Sequence, residues 1–240
     1  MKRFLFFSLI SLVVFSSCDQ MFSKHIRGNG YIKSESRPAP EFNSIDVGGS
    51  IDVYVKQDSI RSIKIETDEN LQEYVQVITE GNKLVIHTES GYNLKSTKGI
   101  KVFVSSPEYK EFDASGACNI FSDNKITSQG MILIDLSGSC DVQMELDAPK
   151  TNAHLSGACS VHLKGTTKDF LVEGSGSTDI HCMELMAENV SVSISGAGNA
   201  EVYASVKLNV DVSGSGDVKY KGNATVSQSV SGAGSVKKVE

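Results

Sequence analysis

Tryptophan is absent from the 240 residues, and proline and cysteine are scarce at four and five. Without tryptophan the largest flat platform for a sugar ring is missing, so tight stacking on a glycan is not expected. Arginine is confined to the first part of the chain: Arg3, Arg27, Arg37 and Arg61 all precede residue 107. Residues 107–240 carry ten lysines against seventeen carboxylates. An acidic half without arginine cannot collect phosphates, which argues against nucleic acid as a partner. The Gly-x-Gly pairs, such as Gly196-Ala197-Gly198, lack the third glycine and the following helix of a phosphate loop. Neither a His-Glu-x-x-His pair nor a Gly-x-Ser-x-Gly elbow occurs. Long hydrophobic runs are missing too. The one apolar stretch, Phe4 to Phe15, is too short to span a bilayer as a permanent helix.

That stretch has another reading. Lys2 and Arg3 precede it and Ser16-Ser17-Cys18 follows, the order of an export signal. Because the cleavage site ends in a cysteine, residues 1–17 look like a bacterial lipoprotein signal, with Cys18 lipidated at the mature N-terminus. Residues 18–40, with Gly28, Gly30, Pro38 and Pro40, are expected to form a tether. Composition places the rest among globular chains, with 40% hydrophobic and 22% charged residues.

A repeat dominates residues 107–240. Its units are Ser115-Gly116-Ala117-Cys118-Asn119-Ile120, Ser137-Gly138-Ser139-Cys140-Asp141-Val142, Ser156-Gly157-Ala158-Cys159-Ser160-Val161 and Ser175-Gly176-Ser177-Thr178-Asp179-Ile180, with three more centred on Gly196, Gly214 and Gly232. The glycines are 18 to 22 residues apart. Around each, apolar residues alternate with polar ones, as in Val210, Val212, Val218 and Tyr220. This is the period of a strand with one buried face. Such units stack as coils of a parallel β-helix, about 4.8 Å per coil. The fold class is therefore all-β, a parallel β-solenoid. By parity the repeat glycine is expected to point inward, as is the site two residues on (Cys118, Cys140, Cys159, Thr178, Gly198, Gly216, Gly234), so the coil should be narrow or bent there.

Residues 41–106 carry the same grammar once, in Ile45-Asp46-Val47-Gly48-Gly49-Ser50-Ile51-Asp52-Val53. Strands near Ile63–Glu66 and Ile100–Val104, a helical turn near Leu71 and a hairpin through Glu80-Gly81-Asn82 complete a thicker N-terminal β cap with the first coils. The Gly28-Asn29-Gly30 opening, the Gly49-Ser50-Ile51-Asp52-Val53 segment and the Ser-Gly-Ser/Ala-Gly/Cys-Asp/Asn repeats together resemble the putative auto-transporter adhesin, head GIN domain family, over residues 27–240. The resemblance implies exported lipoproteins of β-helical build with an adhesive role. It implies no catalytic residues.

Cys118, Cys140 and Cys159 occupy one column, but Thr and Gly take that place in later coils, so small core filler is the expected role. Cys182 is likewise expected in the core. No cofactor or metal is expected. His162 and His181 should stack outward, in a column that continues as Glu201 and Lys219. Three residues before and three after each glycine, outward acceptors recur, and the expected binding face comprises Asp135, Asp141, Ser156, Glu173, Asp179, Asp211 and Asp217. Asn, Asp and Ser also recur at turns because they satisfy nearby amides. The leading expectation is a non-catalytic cell-envelope binding or adhesion module. It would be held to the membrane, at the outer membrane or cell surface, by its lipid, with a glycan or an extracellular protein as ligand. A polysaccharide-acting enzyme using Asp135 and Asp141 as acid and base is the alternative, weakened by the lack of arginine beside them. A purely structural spacer is the third reading. Mass spectrometry of the native protein should find lipid on Cys18, and Cys18→Ala should leave unprocessed precursor; an unmodified N-terminus elsewhere would remove the anchor.

Overall fold

The computed structural model describes residues 23–240. Cys18 and the expected signal peptide lie outside the described residues. From Glu111 to the last coil the chain is a β-solenoid of stacked parallel strands, as its periodicity predicts. In the coil Asp141–Gly157, Val142, Met144 and Leu146 are buried while Asp141 and Gln143 are exposed. The alternation slips once at Pro149-Lys150, and Thr151, Ala153 and Leu155 then point inward. Each residue stacks on its counterpart one coil away: Val142 on Val161, Ala153 on Val172, Gly157 on Gly176. Burial of these columns, at about 25 cal/mol per Å² of apolar surface, is what holds the coils together.

The repeat glycine does not point inward. It sits at an exposed corner with φ between +93° at Gly116 and +135° at Gly214, a region that side-chain-bearing residues rarely adopt. That turn resets the alternation, so Ser115, Gly116 and Ala117 are all exposed and Cys118 is the next buried residue. A Cβ on Gly138 would lie 2.5 Å from the carbonyl oxygen of Gly116. The same carbonyl accepts the Ser139 N–H at 2.7 Å, and the pattern recurs as Ala158 to Gly138 (2.7 Å) and Ser177 to Gly157 (2.8 Å). The expected narrow bend is there, but its cause is a left-handed glycine on the outside.

Inside the corner, Cys118, Cys140 and Cys159 are buried free thiols. Their Sγ atoms donate to the Ser115, Ser137 and Ser156 carbonyls at 3.3, 3.3 and 3.4 Å. Burial pushes the Cys118 thiol up to about 11 and that of fully buried Cys182 up to about 12, so both are inert at neutral pH.

The first end is built out of sequence order. Ser44–Gly49 and Asp52–Gln57 form a rung whose Gly49 pairs with Gly116. On its other side lies a rung made of Lys83–Thr88 and Lys101–Ser106. The earlier segment is therefore sandwiched between two later ones. Antiparallel strands flank this end: Ser62–Asp68 pairs with Lys101–Ser106 and with Ile32–Arg37, and Val75–Glu80 forms the hairpin with Lys83–Thr88. A 3-10 turn, Glu69–Tyr74, supplies the expected helical turn.

Residues 24–37 fall inside the segment expected as a tether, and instead they pair into the cap. Lys24–Arg27 runs parallel to Tyr92–Lys95, and Ile32–Arg37 borders Ser62–Asp68. Buried Asp68 fixes them. Its carboxylate accepts from the Gly30 N–H (2.8 Å), the Ser96 hydroxyl (2.7 Å), and both the N–H and hydroxyl of Thr97 (2.8 Å each). Burial alone would raise its pKa, but these donors outweigh it and hold the carboxyl well below the usual range. The Asp68 carboxylate fills the place where a Cβ on Gly28 would go, which accounts for the Gly28-Asn29-Gly30 opening. Composition gives no hint of this, because the partner lies 38 residues downstream.

Gly157→Ala should cost about 2–4 kcal/mol, combining a left-handed side chain with a backbone clash. Exposed Ser139→Ala at the same corner should stay within about 0.5 kcal/mol. Urea unfolding followed by far-UV circular dichroism separates them; equal midpoints would contradict the corner geometry.

Candidate functional site

The column three residues before the glycine runs Asp46, Asp113, Asp135, His154, Glu173, Ser193, Asp211 in strict register. Beside it the serines before each glycine form a second row. Together they line a shallow groove of about 700 Å³ containing Asp113, Asp135, His154, Glu173, Ser137 and Ser156. His154 Nδ1 lies 2.7 Å from Asp135 Oδ1, and its Nε2 lies 3.9 Å from Glu173. At the cap end, Glu111, Asp113 and Asp135 bring carboxylate oxygens within 4.8 Å of one another. Lys83 supplies the positive charge there, in ion pairs with Asp113 and with Glu111 at 3.4 Å. Burial raises the Asp113 pKa, Lys83 opposes that, and the charges of Glu111 and Asp135 add to the rise.

The column three residues after the glycine lies on the other side of the corner. It reads Asp52, Asn119, Asp141, Ser160, Asp179, Asn199, Asp217, Ser235 along the axis, a carboxylate alternating with a neutral donor throughout. Asn119 donates to Asp52 at 2.8 Å, Asn199 to Asp179 at 3.3 Å and the Ser235 hydroxyl to Asp217 at 2.6 Å. Like charges directly opposite on neighbouring strands destabilise a sheet, and the alternation avoids them. Of the seven residues expected on one face, Asp135, Ser156 and Glu173 line the groove, and Asp211 extends their column. Asp141, Asp179 and Asp217 do not line it; the corner divides the expected face in two.

Two residues further on, a column of rings emerges: Phe103, Tyr54, Phe121, Gln143, His162, His181, then Glu201, Lys219 and Lys237. Tyr54 stacks on Phe103 and on Phe121 with centroids 5.0 and 5.2 Å apart. His162 and His181 stack at 4.5 Å. The two histidines are legible in the sequence; the Phe103–Tyr54–Phe121 stack is not, because its members become neighbours only through the permuted rung order. These rings spend their faces on one another, leaving little face for a sugar. A second groove, about 510 Å³, runs beside the histidines between Gln143, Glu145, Lys164 and Glu201.

Burial and then the charge of His181 lower the His162 pKa, while Asp141 and Asp179 partly oppose this. A histidine with a folded pKa below its unfolded value withdraws stability as pH falls from about 6.5 towards the folded value. NMR titration should therefore find His162 below the ordinary imidazole range, and His181→Gln should move it upward. His162→Gln, which copies Gln143 one coil away, should lessen the loss of thermal stability over that interval. An unshifted His162 would contradict the stacked, half-covered pair.

Comparison with known proteins agrees with this geometry. No curated protein sequence matches the chain. A crystal structure of a putative adhesin from Bacteroides fragilis NCTC 9343 superposes with a TM-score of 0.82 at 25% identity, covering 89% of this chain and all of that one. A putative adhesin from Parabacteroides distasonis ATCC 8503 gives 0.72 at 25% identity, over 90% of this chain and all of its own. A protein from the same strain described as a putative lipid binding protein gives 0.65 at 24% identity with the same coverage, a likeness of fold alone. The family model described as "putative auto-transporter adhesin, head GIN domain" matches residues 41–224, from the sandwiched first rung to the last full coil, and the chain belongs to that family.

Proposed function

We propose that the chain is a non-catalytic binding or adhesion module displayed on the cell envelope through a lipidated Cys18, and that its ligand occupies the groove before the glycine corner. The observation that carries this reading is the register of that groove. Acceptors at Asp113, Asp135, His154 and Glu173 repeat once per coil above a row of serines. A ligand with its own repeat, such as a glycan or an extended protein segment, meets equivalent groups at successive coils, so weak contacts add through effective concentration. Adhesin-named relatives support a surface role, and the family match supports export. Against the expected acid–base pair, Asp135 and Asp141 stand on opposite sides of a corner, and Asp141 does not line the groove.

One observation favours an enzyme instead: Asp113, its pKa raised by burial, lies beside Asp135 in the groove, the pairing of an acid and a base. Its ion pair with Lys83 opposes that role by holding Asp113 charged.

The test uses two triple variants. Asp135→Asn with Glu173→Gln and Asp211→Asn should weaken binding to glycans, host matrix or partner cells about tenfold or more, equivalent to about 1.4 kcal/mol. Asp141→Asn with Asp179→Asn and Asp217→Asn should leave binding nearly intact. The reverse outcome would move the site across the corner. Release of reducing-end or unsaturated products, abolished by Asp113→Asn, would establish the enzyme.

A further inference from the structure

The two ends of the solenoid are finished differently. At the first end there are two edge strands: Val75–Glu80 ends in Glu80, and Ile32–Arg37 carries Lys33, Glu35 and Arg37, with ion pairs of 3.1 Å (Lys33–Glu35) and 2.8 Å (Arg37–Glu35). Charged side chains on an edge strand discourage pairing with another chain. In the last rung Ser235–Lys238 carries Lys237 and Lys238, but the longer strand, Thr225–Gly232, has no such protection. Thr225–Gly232 pairs with Lys207–Gly214 on one side, and among the described residues it pairs with no strand on the other. It contains neither charge nor proline, and no ionisable side chain occurs from Gly222 to Val236.

The inward positions of this strand are Val226, Gln228 and Val230, stacked over buried Leu208, Val210 and Val212. Val230 is 39% exposed. Gln228 is a polar residue in a column otherwise apolar, following Ile134, Ala153, Val172, Val192 and Val210. The run Val226-Ser227-Gln228-Ser229-Val230 also reads identically in both directions. Antiparallel pairing of the strand with its own copy, centred on Gln228, sets Val226 opposite the partner's Val230, Ser227 opposite the partner's Ser229 and Gln228 opposite itself. Directly opposed residues lie on one face of the sheet, so inward meets inward and outward meets outward. A primary amide carries both donors and an acceptor, and two of them complement each other across a twofold axis.

We infer that two copies of this chain associate end to end, by antiparallel pairing of Thr225–Gly232 about a twofold axis through Gln228. Electrostatics selects this end. Residues 107–240 carry an excess of seven negative charges, so copies side by side oppose like charges, whereas the run 222–236 brings none. The pairing continues the backbone ladder of the solenoid across the axis and covers Val226 and Val230. The inference is independent of the ligand groove.

Sedimentation velocity on the full chain should show a monomer–dimer equilibrium. Amide exchange across Thr225–Gly232 should slow as concentration rises. Gln228→Lys and Gln228→Glu, each alone, put like charges opposite and should sediment as monomers with unchanged circular dichroism. An equimolar mixture of the two should dimerise, because residue 228 faces itself. A wild-type chain that stays monomeric with concentration-independent exchange would overturn the inference. So would a dimer indifferent to both substitutions, open-ended oligomers, or charge variants that mixing does not rescue.

Discussion

The hydrogen bond from the residue after each repeat glycine to the glycine carbonyl one coil below is the contact on which the solenoid depends. It carries the parallel ladder around a bend where a strand would otherwise end, at 2.7–2.9 Å from Ala117–Gly49 to Ala233–Gly214. Only a residue without a Cβ satisfies the left-handed turn and leaves that carbonyl room. Once the corner is set, the rest follows locally. Three consecutive residues are thrown outward, the alternation restarts, and the site just inside the bend accepts only small groups. Cys118, Cys140 and Cys159 fill it while returning a weak bond to the carbonyl three residues back.

The corner also organises the surface. It separates a groove in which Glu173, Ser137 and Ser156 are exposed from a column in which Asn119, Asn199 and Ser235 donate to Asp52, Asp179 and Asp217. Asp135 and Asp141, six residues apart and both outward, differ for that reason. The first shares its carboxylate with His154 at the rim of a groove. The second is one member of a series in which every carboxylate is followed by a donor. Beyond Asp135 both columns alternate a carboxylate with a neutral group; what sets the groove column apart is its cap end, where Asp46, Asp113 and Asp135 follow one another and Lys83 offsets their charge.

The repeats, their period and the buried columns of residues 107–240 were legible because each coil repeats one local grammar, and the spacing of the glycines is enough to stack them. The glycine's direction was not, since parity counting assumes an unbroken strand and positive φ breaks it. The cap was legible only as strands and turns. Its pairing depends on Asp68 reaching Gly30 and on Gly49 reaching Gly116, contacts between residues that no local pattern connects. The ring column shows the same limit: Phe103, Tyr54 and Phe121 stack in an order that sequence does not give. Among the proposed site residues, those before the corner could be chosen from the repeat, but Lys83 could not, because it reaches Asp113 from the cap.

The sandwiched first rung gives assembly a direction. Ser44–Gln57 has parallel neighbours on both sides only once the chain has been made through residue 122, so the first rung is completed by contacts up to 67 residues away. Closing such loops is slow, because the entropy of the loop is lost before any contact is gained. Every coil after Met131 needs only the coil before it as a template. The molecule therefore divides into a seed that forms once, non-locally, and a body that lengthens by accretion. Whole turns of 18 to 22 residues can be gained or lost from that body over evolutionary time without reopening the seed, since each turn touches only its neighbours.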